Sequence, residues 1–198
     1  MKRSKPLILF ASLFILFHLI LLLMHQEKQV FWHIYTGFML LLSLSYIYYE
    51  RNINSKRLLE SIITGVLTAI IILIAHALLS VVLPDIRYFH FLKVMVSLGI
   101  YFKWQLIISF IVSFLFELYI RSILQNELMQ RLNVGLTIFI VAIISTSFFS
   151  WAVSLQILCF IFIVECIVAA SYQNTKRLIT PLIGKLLAML ILMLMYGQ

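Results

Sequence analysis

The chain has 198 residues, of which 64% are hydrophobic and only 11% are charged, and its mean hydropathy is +1.11. Soluble domains carry about 25% charged residues, so this composition excludes an ordinary soluble domain. Apolar runs long enough to cross a bilayer as helices recur along the chain. The strand alternation of a barrel is absent, and lipid admits only helices or closed barrels. We therefore predict an all-α, polytopic membrane helical bundle that forms one integral membrane domain over residues 1–198.

The net charge of +8 does not indicate a nucleic-acid partner, because the basic residues are scattered at the ends of the apolar runs and form no single stripe. They are typical of topology signals and of contacts with anionic lipid headgroups, so membrane lipids are predicted partners. With the N-terminus inside, ten basic residues fall in inner segments and four in outer segments. This bias predicts a cytoplasmic N-terminus.

The apolar runs predict about seven transmembrane helices. They cover residues 7–24, 30–49, 61–83, 104–120, 134–149, 151–172 and 178–196. The first run is longer than the apolar part of a typical signal peptide and has no A-x-A cleavage pattern after it, so we predict an uncleaved span. Trp32 is predicted to anchor the second span at a membrane interface. Residues 86–103 fit either an interfacial helix or the beginning of a long fourth helix.

Three charged residues lie inside the predicted spans, and a fourth, Arg121, directly follows the fourth span. Glu117 and Arg121 are four residues apart, which on a helix places them on one face within reach of each other. Glu165 and Lys185 lie in the sixth and seventh spans. Intramembrane charges are costly and usually pair or face a cavity. We therefore predict one neutral polar intramembrane cluster of Glu117, Arg121, Glu165 and Lys185, in which Glu165 approaches Lys185.

The histidines and cysteines give weaker indications. His18, His33 and His76 fall in the outer halves of the first three spans, where we expect hydrogen-bonded side chains and no metal site, since no carboxylate joins them. Cys159 and Cys166 are predicted to be buried, reduced thiols. The sequence contains no nucleotide-binding loop or haem motif, so no cofactor is predicted.

One segment resembles a known membrane-protein family. Phe116-Glu117-Leu118-Tyr119-Ile120-Arg121 is similar to the E-E-x-x-x-R motif of the CAAX-protease and bacteriocin-processing family, also called CPBP or Abi. The resemblance covers residues 112–193, where the motif at a span end is followed by a short polar helix, two close spans and a basic turn before the last span. In that family the first glutamate of the pair activates water for peptide hydrolysis.

The resemblance implies a catalytically degenerate member. Phe116 stands at the first glutamate position, Ala152 or Val153 at the histidine position of the second motif, and Lys185 at that of the third. No intact catalytic set is expected, and Glu117 with Arg121 is the remainder of the motif. General-base catalysis needs a titrating group beside its water, and Arg121 weakens Glu117 as a base.

The resemblance favours a non-catalytic protein of the bacterial plasma membrane that binds envelope or surface-protein-processing partners, similar to lysostaphin-resistance and surface-protein-display proteins, or that confers bacteriocin immunity. Two alternatives stay open at this stage. The first is an active intramembrane peptidase of the same type that uses Glu117. The second is a small transporter subunit that uses the four charges as a polar pathway.

Overall fold

The computed structural model of the chain describes residues 5–24, 30–49, 58–86, 96 and 98–196. In this part of the chain the regular structure is entirely helical, which confirms the predicted all-α class. Seven long helices occur there. They are α1 (Lys5–Leu23), α2 (Phe31–Tyr49), α3 (Leu58–Val82), α4 (Lys103–Tyr119), α5 (Val134–Ser147), α6 (Leu155–Thr175) and α7 (Ile179–Tyr196).

The bounds of α4 lie within one residue of the predicted fourth span, 104–120, at both ends, but the helical chain continues beyond it. Phe102 precedes it in an extended conformation, and Gly99 has a φ of 98°. Residues 98–102 are therefore not its first turns, and the alternative in which residues 86–103 begin a long fourth helix is wrong. The interfacial-helix alternative falls mainly on residues 87–95, which lie outside the described residues. At the other end α4 continues without a break into a π-helical segment, Ile120–Gln125, and a last turn, Asn126–Met129. The fourth span was predicted to end at Ile120, but all six side chains of the π-helical segment remain buried in the bundle.

The sixth predicted span begins too early. Residues 148–153 form a series of tight turns, with backbone N–H groups of Phe149, Ser150 and Ala152 donating to carbonyls three residues earlier. The helix α6 begins only at Leu155 and ends at Thr175, where Lys176 adopts a left-handed conformation with a φ of 54°. Left-handed residues end helices efficiently, so α7 can return beside α6 after a very short link.

The helices pack in two apolar groups. The larger group joins α1, α2, α4 and the turns before α6, with Phe17, Tyr119 and Phe148 at its centre. The smaller group joins α3, α6 and α7 through residues such as Ile72 and Val168. The end of α4 therefore meets α6 and α7 at the boundary between the two groups, which is where the charged residues lie.

Glycines bring α3 and α7 into close contact. A Cβ atom added at Gly184 would lie 2.8 Å from the Cβ of Thr68, and one added at Gly65 would lie 2.9 Å from the Cβ of Ile183. Small residues allow such approach of two backbones in membrane helices. Near the first turn of α7, the hydroxyl groups of Thr64 and Thr180 lie 3.3 Å apart. The contact fixes the position of α7, and with it the position of Lys185.

Two of the described helices, α3 and α6, are long and apolar enough to cross a membrane. Only 28% of the most apolar 18-residue window of α3 is buried inside the protein. The outward side chains include large aliphatic groups, such as Leu67, Ile71 and Leu78, each more than half exposed.

Two side-chain predictions are wrong. Trp32 is 8% exposed and lies in the core, so it is not an interfacial anchor. Its ring faces Tyr35 at the beginning of α2, because this part of the helix is covered by neighbouring elements. Cys159 is exposed, although it was predicted to be buried, because it lies on the outer face of α6. Cys166 is half-buried, and both thiols are free.

Candidate functional site: a buried ring of four charges

The four charged residues singled out in the sequence lie together. The end of α4 supplies Glu117, and the π-helical segment that follows supplies Arg121. The middle of α6 supplies Glu165, and α7 supplies Lys185. The Arg121 Nε donates to Glu117 Oε2 at 2.9 Å, and Arg121 Nη2 donates to Glu165 Oε2. The Lys185 Nζ donates to Glu117 Oε1 at 2.5 Å and to Glu165 Oε1 at 2.6 Å. We call this arrangement the charge ring.

In the charge ring, positive and negative groups alternate. Each carboxylate uses one oxygen for Arg121 and the other for Lys185, so all four carboxylate oxygens are occupied. The side chains of Glu117, Glu165 and Arg121 are 2%, 1% and 0% exposed, and that of Lys185 is 14% exposed. Buried charges persist when they are paired and hydrogen-bonded, and this set of two cations and two anions is neutral.

Gln125 is a further member of the site that the sequence reasoning missed. It is fully buried, its Oε1 accepts from Arg121 Nη1 at 3.3 Å, and its Nε2 donates to the backbone carbonyl of Ala169 at 3.0 Å. The signal was present in the spacing, because Glu117, Arg121 and Gln125 repeat every four residues. Because the fourth span was predicted to end at Ile120, Gln125 was not considered part of the same helical face.

The π-helical segment coincides with this polar face. It runs from Ile120 to Gln125, and all six of its side chains are buried. A second pair of contacts follows it, since Asn126 donates to the carbonyl of Ser122 at 2.8 Å and accepts from the Tyr172 hydroxyl at 3.1 Å. π-Helical turns are frequent at functional sites. Here the π-helical segment and the residue after it place the polar side chains of Arg121, Gln125 and Asn126 against α6.

The positions that the family resemblance relates to catalysis do not form a base with free access to water. Phe116 is 1% exposed and packs edge-on against Phe148, with 5.6 Å between ring centres. The Lys185 Nζ lies 5.2 Å from the centre of the Phe116 ring. Ala152 lies in the turn before α6 and is 9% exposed. Glu117 is the remaining carboxylate of the motif, and each of its two oxygens accepts a hydrogen bond from a cation.

A cavity of about 210 Å³ lies beside the charge ring. Glu165 and Lys185 form part of its wall, and Ile157 and Leu192 lie further along it. The rest of the wall is mostly aliphatic and aromatic, and side chains of α2, α3, α6 and α7 contribute to it. A mainly apolar cavity with a few polar groups is the usual form of a small-molecule site.

Of the described histidines, His76 lines the cavity beside the charge ring. His18 packs against the ring of Phe14, with 4.4 Å between centres, and His76 Nε2 lies 3.2 Å from the carbonyl oxygen of Ile86. His33 is exposed near the beginning of α2. Within the described residues, no group of three His, Cys, Asp or Glu side chains could hold a metal ion. His25 and His90 lie outside the described residues.

No protein-family profile, no curated protein and no solved structure matches this chain.

Proposed function

We propose that the protein is a non-catalytic, multi-pass protein of the bacterial plasma membrane that binds a membrane or cell-envelope protein. It would be a degenerate relative of the CPBP family, similar to the surface-protein-display, lysostaphin-resistance or bacteriocin-immunity members. The observation that carries this proposal is the closed charge ring, in which every carboxylate oxygen already accepts from a cation.

The ring supports a structural role for the charges. A general base must reach the proton that it removes, and Glu117 is held between Arg121 and Lys185. An adjacent cation also favours the charged carboxylate and makes it a weaker base. The chain has no histidine after His90 that could replace the missing one. Because the four charges join α4, α6 and α7, they are not available for catalysis. We therefore assign recognition of another protein to the bundle.

The membrane setting is supported by exposed side chains. α3 has an apolar outer face, and aromatic residues are exposed where α4 and α6 begin. These residues are Tyr101, Phe102, Trp104 and Trp151, each between 42% and 60% exposed. Exposed tryptophans and tyrosines near helix ends are typical of the membrane interface. We propose that all seven long helices cross the membrane, with the N-terminus in the cytoplasm.

Purification of the full chain from its native membrane tests this function. We expect one membrane or envelope protein to copurify in a fixed ratio, and the purified protein to cleave no reporter peptide. Peptide cleavage by the parent protein that Glu117→Gln abolishes, with unchanged thermal stability, would replace the proposal by the peptidase alternative. Solute flux through liposomes that contain the purified chain would instead establish the transporter alternative.

A further inference from the structure

We propose that the cavity beside the charge ring is a binding site for a small, neutral, ring-sized apolar molecule with one carbonyl group, such as an aryl ketone or aryl ester. The carbonyl oxygen accepts a hydrogen bond from the Lys185 ammonium group, and the apolar part occupies the cavity. This site does not depend on the proposed partner-binding function, because the experiments that test it measure only whether a ligand occupies the cavity.

The size of the cavity sets the size of the ligand. Its volume is about 210 Å³, which is below the range of sites for drug-sized molecules. An engineered apolar cavity of roughly 150 Å³ binds benzene, so one aromatic ring with a short substituent fits here. Ile157 and Glu165 both line the cavity and are eight residues apart on α6. This separation corresponds to a length of roughly 12 Å.

The wall favours an aromatic ligand. Phe31, Trp32 and Tyr35 from α2 line one side, and Phe149 and Phe160 contribute further rings. Aromatic rings attract one another in offset and edge-to-face arrangements. The remaining wall is largely aliphatic, with Val164 and Met189 near the charged residues. Burying a ligand ring against this wall would remove apolar surface from water or lipid.

The polar end of the cavity favours an acceptor without charge. An ammonium group has three N–H donors, and Lys185 uses two of them for Glu117 and Glu165. Among the described residues no hydrogen-bond acceptor is assigned to the third donor, and the nearest aromatic group is the Phe116 ring. Lys185 is also the most exposed member of the ring. A charged ligand would lose its hydration in a mainly apolar cavity beside a charge ring that is already neutral, whereas a neutral carbonyl needs only one donor.

4-Methylacetophenone tests the site directly, because it is a single-ring aryl ketone that abstracts hydrogen atoms from nearby C–H bonds when irradiated. Full-length protein in detergent is irradiated with this ketone, and the labelled residues are mapped by mass spectrometry. We expect saturable labelling at Met189 and Val164, in contrast to non-saturable labelling of the exposed faces of α1 and α3. Labelling that is nowhere saturable, or that spares the cavity, would overturn the proposal.

A filling variant and its control establish the location. Val164→Phe fills the cavity and should reduce saturable labelling at least fivefold, whereas Val66→Phe, the same change at an exposed position of α3, should leave it unchanged. Leu192→Phe, which narrows the cavity further along α7, is the second filling variant if Val164→Phe does not fold. Unchanged labelling in a folded filling variant would overturn the site.

Two competitors separate the hydrogen bond from simple apolar binding. Acetophenone and α-methylstyrene have nearly the same shape, but only acetophenone has a carbonyl oxygen. Because a hydrogen bond to a charged group typically contributes about tenfold or more in affinity, acetophenone should compete with 4-methylacetophenone at about one-tenth of the concentration that α-methylstyrene needs. Equal competition by the two compounds would overturn the carbonyl-bearing ligand class.

Discussion

Arg121 is the residue that connects most parts of the site. Its guanidinium contacts Glu117 and Gln125 on its own helical segment and Glu165 on α6. The rigid fork of an arginine suits such simultaneous contacts better than a lysine does. Lys185 closes the arrangement from α7, with a single ammonium group between two carboxylates. Each single replacement therefore leaves an uncompensated charge in a buried place.

The first prediction concerns the coupling between Glu165 and Lys185. Glu165→Gln should lower the free energy of unfolding by about 3–5 kcal/mol, because removing one partner of a buried pair leaves the other charge unpaired. Lys185→Met should show a similar loss. The double variant should lose clearly less than the sum of the two, since interacting residues are not additive. SDS titration in mixed micelles measures all three variants.

Glu60→Gln is the control for this cycle. Glu60 pairs with Arg177 at 3.1 Å, but its side chain is 56% exposed, so its loss should cost about 0–1 kcal/mol. A Glu165→Gln variant as stable as Glu60→Gln would contradict the structural role of the charge ring.

At the level of helices, the contact between α3 and α7 depends on two residues without side chains. Gly184→Ala should destabilise the protein by about 1–3 kcal/mol, because the new methyl group meets Thr68 at 2.8 Å and forces the helices apart. Gly37→Ala in α2 is the matched control, since nothing lies within 4 Å of the added Cβ. It should be neutral or stabilising by up to about 1 kcal/mol. Equal effects of the two substitutions would disprove the close contact.

The beginning of α5 offers a second test at this scale. The Asn133 side chain accepts a hydrogen bond from the backbone N–H of Leu136 at 2.8 Å, as an N-terminal cap does. Asn133→Ala should therefore lower the free energy of unfolding by about 1 kcal/mol. Asn174→Ala, at an exposed position in the last turn of α6, should change it by less than half as much. Denaturant titration of both variants decides between a cap and a surface residue.

The sequence predicts the helices better than it predicts their ends. Hydropathy locates seven apolar runs, and a long helix lies in each of them. It does not predict that the helical chain continues past α4 through Gln125, because the polar side chains of Arg121 and Gln125 suggest the end of a span, whereas buried partners on α6 accept their hydrogen bonds. Charge, spacing and depth predict the partners of Glu117 and Arg121. The contact of α7 with α3 depends on glycines, and the sequence alone does not show that they lie in a close contact. The cavity also could not be predicted, because it depends on how α2 packs against α6.

For the whole molecule, the lengths of the apolar helices support the membrane prediction only in part. α3 and α6 are long and apolar enough to span a bilayer, whereas the apolar parts of α1, α2, α5 and α7 are shorter. Short spans can be accommodated by local thinning of the bilayer or by packing against neighbours. The direction of each helix across the membrane is a separate matter, for which the basic residues are the guide.

The last prediction concerns this orientation. Ten basic residues on one side against four on the other predict that residue 4 and the turn at residues 174–177 face the cytoplasm. The test uses Ser4→Cys and Asn174→Cys, each in a background in which Cys159 and Cys166 are replaced by alanine. A membrane-impermeant maleimide should label neither position in intact cells and both after permeabilisation. Leu155→Cys, at the opposite end of α6 and 75% exposed, is the control that should react in intact cells.

Labelling of residues 4 and 174 from outside, together with protection of residue 155, would reverse the orientation. Labelling on the same side at residues 155 and 174 would mean that α6 does not cross the membrane, and the seven-span arrangement would then be wrong.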